Sequence, residues 1–277
     1  MKKEKITIAT MGPKGTFSDI AAQVYIKKKR IKAGINLYPT IYDVFEAVNF
    51  GKADLGVVPL ENSEDGSVRI TLDELFKSDL NIESSMVLPI KHCLAVYSRT
   101  KVIREIMSNT HPLTQCHNFI KKYYPNAKLS ESLSTASAMQ KIARGKKIGV
   151  AAIGPSQTAK LYDLKILKDN IQDNKKNITR FVIVSPLKSN EGSFTSIALY
   201  GHKDRPGLLY DLLGIFAKRK INLTRIESRP AKSKLGVYVF YIDFEGSLLS
   251  LEIQTVLKEI KRQGFKIKIF GSFSEIK

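Results

Sequence analysis

The stretch ADLGVVPLENSEDGS, residues 53–67, decides the fold. Its apolar part, residues 54–59, predicts a buried strand, and the polar loop at residues 61–66 leads into a predicted helix. Residues 6–29 show the same order: an alternating strand, a glycine turn, and a helix that Thr16 or Ser18 would cap. Strands and helices that alternate along a chain predict an α/β fold.

The rest of the N-terminal two thirds continues this alternation up to a strand at residues 179–184. The elements predicted between are helices at residues 43–50, 102–107, 113–123 and 136–144, and strands at residues 86–97, 128–133 and 147–153.

A polar, breaker-rich segment at residues 186–192 predicts a linker. Beyond it the pattern predicts strands at residues 195–200, 223–228, 237–244 and 266–272, and helices at residues 208–218 and 250–261. The resulting order βαββαβ is that of the split-βαβ, ferredoxin-like sandwich, an α+β fold.

The composition is that of an ordinary globular protein, with 277 residues, 43% hydrophobic and 26% charged. This length predicts two or three compact units. The formal charge of +19 is spread along the chain, and its densest run, Lys27 to Arg30, ends a predicted helix, where cations complement the helix dipole. We interpret the charge as a solvated surface that attracts small anions; a nucleic-acid partner is disfavoured because no basic patch is interleaved with aromatic residues.

Cofactor and metal sites have no sequence support. Two cysteines, Cys93 and Cys116, are too few for a disulfide framework, and the four histidines include no pair at metal-ligand spacing. The glycine pair Gly12 and Gly15 lacks the rest of a dinucleotide loop. No apolar stretch approaches about 18 residues, and we therefore expect a cytoplasmic protein without a membrane partner.

Three polar loops at strand ends are the candidate site, because ligands of α/β sheets bind there. The first, Gly15 to Ser18, is either an anion site at a helix N-terminus or a plain capped helix. The second, Glu61 to Ser63, follows the deciding strand and is either functional or only a turn. The third, Asn177 to Phe181, carries Arg180, which either forms an internal salt bridge or contacts a substrate.

Together, these segments closely resemble the prephenate dehydratase family. The match comprises Gly12 to Ser18, Val58 to Val68, Asn177 to Phe181, Ser134 to Ala136 and Ala151 to Ile153, and it extends along nearly the whole chain. The resemblance implies a catalytic domain at residues 1–185, with a fold of two lobes like that of periplasmic binding proteins. Lobe 1 is expected at about residues 1–80 and 162–185, lobe 2 at about residues 81–161, and the linker at residues 186–194.

Residues 195–277 are similar to the ACT domain of the same enzymes, through Asp204 to Leu209 and Ile221 to Pro230. The resemblance implies that phenylalanine binds between subunits of a homo-oligomer and lowers activity. The implied effector residues are Gly207, Leu208, Leu209, Asn222, Leu223, Glu227, Ser228 and Arg229. Leu208 stands where the family has alanine, and we expect its larger side chain to alter phenylalanine affinity.

The family's reaction converts prephenate to phenylpyruvate without a cofactor or metal, by loss of CO2 and hydroxide. The resemblance assigns catalysis to Thr179, Glu61 and Asn62, with Thr179 donating a hydrogen bond to the leaving oxygen, directly or as a relay from an acid such as Glu61. It assigns substrate binding to Thr16, Phe17, Ser18, Ser63, Ser108, Gln115, Arg180 and Phe181. The segment Ser108 to Cys116 departs from the family, because its His-Pro pair is displaced.

Two alternatives to this function stay open. Arogenate dehydratase performs the same elimination on the amino-acid counterpart of prephenate, and the two activities differ in kcat/KM for the two substrates. A binding domain that only senses an amino acid would need neither Glu61 to Ser63 nor Thr179 to Phe181.

Overall fold

The structure, a computed structural model, describes residues 6–100, 102–201, 205–231 and 238–277. In chain order, its strands are β1 (Ile6–Met11), β2 (Ala33–Tyr38), β3 (Leu55–Asn62), β4 (Gly66–Ser67), β5 (Asn81–Pro89), β6 (Cys93–Val96), β7 (Glu105–Ser108), β8 (Lys128–Glu131), β9 (Val150–Gly154), β10 (Lys165–Lys168), β11 (Ile178–Ser185), β12 (Phe194–Tyr200), β13 (Leu223–Pro230), β14 (Tyr238–Glu245) and β15 (Lys266–Glu275). The helices are α1 (Phe17–Lys29), α2 (Ile41–Asn49), α3 (Arg69–Lys77), α4 (Thr110–Gln115), α5 (His117–Tyr123), α6 (Thr135–Arg144), α7 (Ser156–Leu161), α8 (Leu208–Lys218) and α9 (Leu251–Arg262).

The chain divides into two compact units. Unit 1 consists of Met1–Asp43, Asn62–Gly66 and Leu88–Thr179, and unit 2 of Val44–Glu61, Ser67–Val87 and Arg180–Lys277. Unit 2 therefore contains the whole predicted C-terminal domain together with two earlier segments. The predicted domain and lobe boundaries stay a prediction.

Unit 1 opens with the predicted strand, loop and helix. Strand β1 pairs with β2 in parallel, and α1 begins after Thr16, whose hydroxyl accepts a hydrogen bond from the amide of Asp19 at 3.2 Å. Gly15 sits at φ +90°, and a Cβ there would come within 2.7 Å of Thr158. The tight turn before α1 therefore requires glycine.

A five-stranded sheet, in the order β10-β6-β9-β7-β8, forms the rest of unit 1. Both of its faces are buried: Cys93 and Ala95 of β6 pack with α6 and α7, and Leu94 and Val96 pack with α4 and α5. Successive side chains of a strand point to opposite faces, so a strand that is apolar throughout needs helices on both sides.

Two predicted elements in this region are wrong. Residues 105–107, part of the helix predicted at residues 102–107, lie in strand β7, because pairing with β8 and β9 on either side outweighs the local pattern. Residues 86–97, predicted as one strand, are interrupted at residues 90–92, where Ile90 N–H donates to Asn177 O and His92 N–H to Gln172 Oε1 instead of continuing a strand ladder. The sequence pattern also missed β2, α7 and β10.

Unit 2 has the sheet order β13-β14-β12-β15-β5-β11-β3, counting those parts of β3, β5 and β11 that belong to it. Its C-terminal part has the predicted βαββαβ order, and α8 has the predicted bounds. The third of the predicted C-terminal strands, at residues 237–244, begins with Val237, which lies outside the described residues. Helices α8 and α9 bury apolar side chains against β12 and β14, including Leu212, Phe216, Phe244 and Ile260. The predicted fold class, α/β with a C-terminal ferredoxin-like α+β domain, is confirmed.

In the described residues, no helix is long and apolar enough to cross a membrane.

Candidate active site

Asn62, the last residue of β3, makes the central polar contacts of unit 1. Its Nδ2 donates to Thr179 Oγ1 and to Asn177 Oδ1, each at 2.8 Å, and lies 3.1 Å from Ile178 O. Its Oδ1 accepts from the amides of Glu64 and Asp65 at 2.9 and 3.0 Å. Because the backbone donors fix the position of Oδ1, the NH2 group must face Thr179.

Thr179 is oriented as a hydrogen-bond donor. The residue is only 7% exposed, and its Oγ1 accepts the N–H of Asn62. Among the described residues, no acceptor takes the hydrogen of the Thr179 hydroxyl. A hydroxyl that accepts one hydrogen bond also becomes a better donor. The arrangement can therefore stabilise negative charge that develops on a ligand oxygen.

Gln115 lies between Asp65 and His92. Its Nε2 donates to Asp65 Oδ2 at 3.0 Å, and its Oε1 is 3.1 Å from His92 Nε2. Since an ionised carboxylate only accepts hydrogen bonds, Gln115 must present its oxygen to His92, which then carries its proton on Nε2. Burial lowers the pKa of His92 to about 4, against the opposing effect of the bond to Gln115, so the ring is neutral at pH 7.

Neither His92 nor Asp65 was among the residues predicted to form the site. The available signal for His92 was a polar residue inside the apolar stretch 86–97, and for Asp65 its place in the loop after β3.

Glu61 and Arg180, which belong to unit 2, form an ion pair. Arg180 Nη1 lies 3.7 Å from Glu61 Oε2, with side chains 29% and 34% exposed. The internal salt bridge considered for Arg180 therefore exists, and both groups stay accessible. Phe181, the next residue of β11, is 1% exposed and lies in the core of the sheet.

The loop before α1 uses its polar groups internally. Gly15 N–H donates to Asp19 Oδ2 at 2.8 Å, and the Thr16 hydroxyl donates to Met11 O at 2.7 Å. Thr16 and Ser18 are buried. Because Gly15 N–H is bonded to Asp19, the start of α1 already holds a carboxylate of its own chain. The ring of Phe17 meets that of His92 edge to face, with centroids 5.5 Å apart.

Two further residues of the predicted set differ in their surroundings. Ser108 is 0% exposed, and its hydroxyl donates to Ile153 O at 2.7 Å, which ties β7 to β9. Ser63, in contrast, is exposed; its amide donates to Ile178 O at 2.9 Å, and its hydroxyl accepts from Ile178 N–H at 3.0 Å. Ser63 thus fixes the loop against β11.

The predicted effector residues lie on or just before α8 and β13, and β13 is an edge strand of the unit 2 sheet. Gly207 precedes α8 at φ +80°, Leu208 is 5% exposed and packs in the apolar core, and Leu209 is 39% exposed. Asp204, part of the same sequence match, lies outside the described residues.

On and before β13, Asn222 Nδ2 donates to Glu245 Oε1 at 3.0 Å, and Leu223 and Glu227 are half-buried while Ser228 is exposed. Arg229 binds Asp73 of α3 through two hydrogen bonds of 3.1 Å. Across the described part of the chain, no group of three His, Cys, Asp or Glu residues is arranged to hold a metal ion.

Three known proteins resemble the whole chain. Prephenate dehydratase of Methanocaldococcus jannaschii is 41% identical over 97% of this chain and 98% of its own. The crystal structure of prephenate dehydratase from Arthrobacter aurescens in complex with L-Phe superimposes with a TM-score of 0.86 at 30% identity, covering 97% of this chain and 90% of the other. GqqA, described as a novel type of quorum-quenching acylase, has a TM-score of 0.83 at 25% identity, covering 96% and 97%. Proteins of this fold are thus described as having different activities. The activity has to be inferred from the site residues and not from the fold alone.

Two family models match the sequence. The prephenate dehydratase model matches residues 8–189, which include every predicted catalytic and substrate-binding residue, and the ACT domain model matches residues 195–262. With this match over more than half of its length and a relative of 41% identity, the chain belongs to the prephenate dehydratase family.

Proposed function

We propose that this protein converts prephenate to phenylpyruvate, CO2 and hydroxide, and that phenylalanine inhibits it through the ACT domain. The observation that carries the proposal is the Thr179 hydroxyl, whose oxygen is held by Asn62 and whose hydrogen is left for a ligand. Family membership supports the reaction, and the L-Phe complex of the Arthrobacter aurescens relative supports the effector.

The reaction needs help at one atom. As the ring carboxylate leaves as CO2, its bonding electrons enter the ring and expel the hydroxyl group at the opposite position as hydroxide. The negative charge that grows on this oxygen is what the Thr179 hydrogen bond stabilises; such a donor lowers the barrier by about 3–4 kcal/mol. Full proton transfer is not required, because solvent protonates the released hydroxide.

The other predicted residues position the substrate in this proposal. Asn62 aims the Thr179 hydroxyl, and Gln115, held by Asp65 and His92, presents a fixed amide. Arg180, paired with Glu61, supplies an accessible cation for a carboxylate. No step calls for a cofactor or a metal ion.

The decisive experiment follows phenylpyruvate formation from prephenate, with and without phenylalanine. Turnover that phenylalanine lowers is the expected result. Binding of phenylalanine without turnover would support the amino-acid sensor instead. A higher kcat/KM for arogenate than for prephenate would identify an arogenate dehydratase.

Replacement of Thr179 by alanine tests the proposed donor. We expect Thr179→Ala to lower kcat by about 100-fold or more, because it removes a transition-state hydrogen bond. Thr179→Ser, which keeps a hydroxyl, is the matched control and should retain most of the rate. Near-normal turnover by Thr179→Ala, with an unchanged thermal midpoint, would remove Thr179 from the mechanism.

Two further parts of the proposal concern assembly and location. We expect the protein to form a homo-oligomer through its ACT domain and to be cytoplasmic. Analytical ultracentrifugation of the full chain tests the first: a monomer at assay concentration would contradict it.

A further inference from the structure

Asn177, the residue before β11, is a buried amide whose side-chain oxygen and nitrogen both form hydrogen bonds. It is 1% exposed, and its backbone oxygen accepts from Ile90 N–H at 2.9 Å. Its Nδ2 donates to Glu64 Oε2 at 3.1 Å, and its Oδ1 accepts from Asn62 at 2.8 Å, with the Ser63 hydroxyl at 3.4 Å. One side chain therefore contacts three consecutive residues of the loop after β3.

Together with the backbone amides that hold its Oδ1, these contacts set the direction of the Asn62 amide. An amide NH2 group is planar and has two hydrogens, and here one points to Thr179 and the other to Asn177. Fixing one N–H consequently fixes the other. The carbonyl oxygen of Ile178, 3.1 Å from the same nitrogen, is the nearest alternative acceptor, so the amide has another orientation to adopt if Asn177 is removed.

We infer that Asn177 is a positioning residue for the elimination: by holding Asn62, it aims the Thr179 hydroxyl at the leaving oxygen. The inference rests on the proposed function. It predicts an effect on the chemical step rather than on substrate binding, because Asn177 itself is buried behind Asn62. Small errors in the position of a catalytic donor reduce the rate strongly.

Asn177→Ala is expected to lower kcat by about 10-fold or more while KM changes by less than about 3-fold. Asn174→Ala is the matched control: Asn174 is exposed in the same loop, and its side chain accepts only from Lys176 N–H among the described residues. This control should behave like the unchanged protein.

A double-mutant cycle separates positioning from a merely structural role. If Asn177 acts through Asn62, then Asn177→Ala should have no further effect on kcat in the Asn62→Ala background. An equal loss of kcat in both backgrounds would overturn the inference, whatever the thermal midpoints.

A polarity exchange provides a second test in variants that keep the volume of the site. Asn177→Asp places a carboxylate against Glu64 and should lower kcat as alanine does. Adding Glu64→Gln places an amide donor at position 64 opposite the carboxylate acceptor at position 177. We expect kcat to recover by about 5-fold or more relative to Asn177→Asp alone. A double variant no faster than Asn177→Asp would contradict the role of this contact.

The unchanged protein separates this inference from the proposed function. If it does not turn over prephenate, both fail together. If it does, and Asn177→Ala keeps a normal kcat, only the role of Asn177 is overturned.

Discussion

His92 shows how a single buried residue makes the protein sensitive to acid. Its imidazole is 1% exposed, with Nε2 bonded to Gln115, and in the described residues its Nδ1 has no partner. Burial lowers its pKa from the ordinary value of 6.5 to about 4. Protonation of this ring in the folded protein would therefore leave a charge without solvent or a counter-ion.

The free energy of unfolding should depend on this residue between pH 6.5 and 4. Above pH 6.5 the ring is neutral in both states; as the pH falls toward 4, the unfolded chain takes up a proton that the folded protein does not. Stability is thus lost on acidification, on the order of 3 kcal/mol for a shift of this size.

Urea unfolding at pH 7 and pH 5 measures this loss. We expect His92→Gln, which cannot titrate, to lose less stability over this interval than the unchanged protein. His117→Gln changes an exposed histidine and is the control. An identical pH dependence of all three would exclude His92 as the cause.

At this scale, the sequence predicted residues better than their partners. A polar loop after one apolar strand marked Asn62, and a polar entry into another marked Thr179. The structure brings the two within 2.8 Å. The contact joins positions 117 apart, and no local pattern encodes such a pairing. For the same reason the sequence did not reveal that the Ser108 hydroxyl donates to Ile153 O across 45 positions.

Helix α3 contacts the ACT part of unit 2 at two places. Lys268 donates to the carbonyl oxygens of Phe76 and Ser78 at 2.7 and 2.6 Å, at the C-terminal end of the helix. Cations are favourable there because they satisfy carbonyl groups that lack partners within the helix. Asp73, on the same helix, holds Arg229 of β13.

Asp73→Asn should weaken feedback inhibition. Arg229 is one of the predicted effector residues, and its pair with Asp73 is a contact by which β13 reaches α3. We expect the phenylalanine concentration for half-inhibition to rise by about 3-fold or more, with activity in its absence changed less. Inhibition curves measure this; Glu74→Gln, the neighbouring position, is the control. A curve unchanged by Asp73→Asn would show that inhibition does not use this contact.

Elements were predictable where local pattern and tertiary surroundings agree. Helix α8 has the predicted bounds because its apolar spacing matches the face that it buries. Strand β7 was mistaken for a helix because four residues carry little periodicity, and its neighbours β8 and β9 come from residues 128–154.

For the whole molecule, the net charge of +19 should govern how the substrate arrives. Prephenate carries two carboxylates, and a cationic protein raises the local concentration of such anions. We expect kcat/KM to fall by about 3-fold or more between about 0.02 M and 0.3 M KCl, with kcat nearly constant, because salt screens this attraction. Steady-state kinetics at the two KCl concentrations measure this fall in kcat/KM. Repeating them in NaCl tests whether K⁺ itself has an effect. A kcat/KM that is independent of salt would contradict steering.

The fold class was predictable at this scale, but the composition of the compact units was not. Alternating strands and helices, followed by βαββαβ, indicated the architecture. Unit 1, however, is assembled from three separate chain segments, and only contacts between distant residues reveal which segments belong together.

The interleaving of unit 1 sets an order of events during synthesis. Asn62 leaves the ribosome 117 residues before Thr179, its hydrogen-bond partner. At translation speeds of about 5–20 residues per second, that interval lasts about 6 to 23 seconds. Through this time the nascent chain carries the loop after β3 without the strand that completes it. The site that we propose to act on prephenate is therefore among the last parts of unit 1 to form, and a chain cut short before Thr179 would lack it entirely.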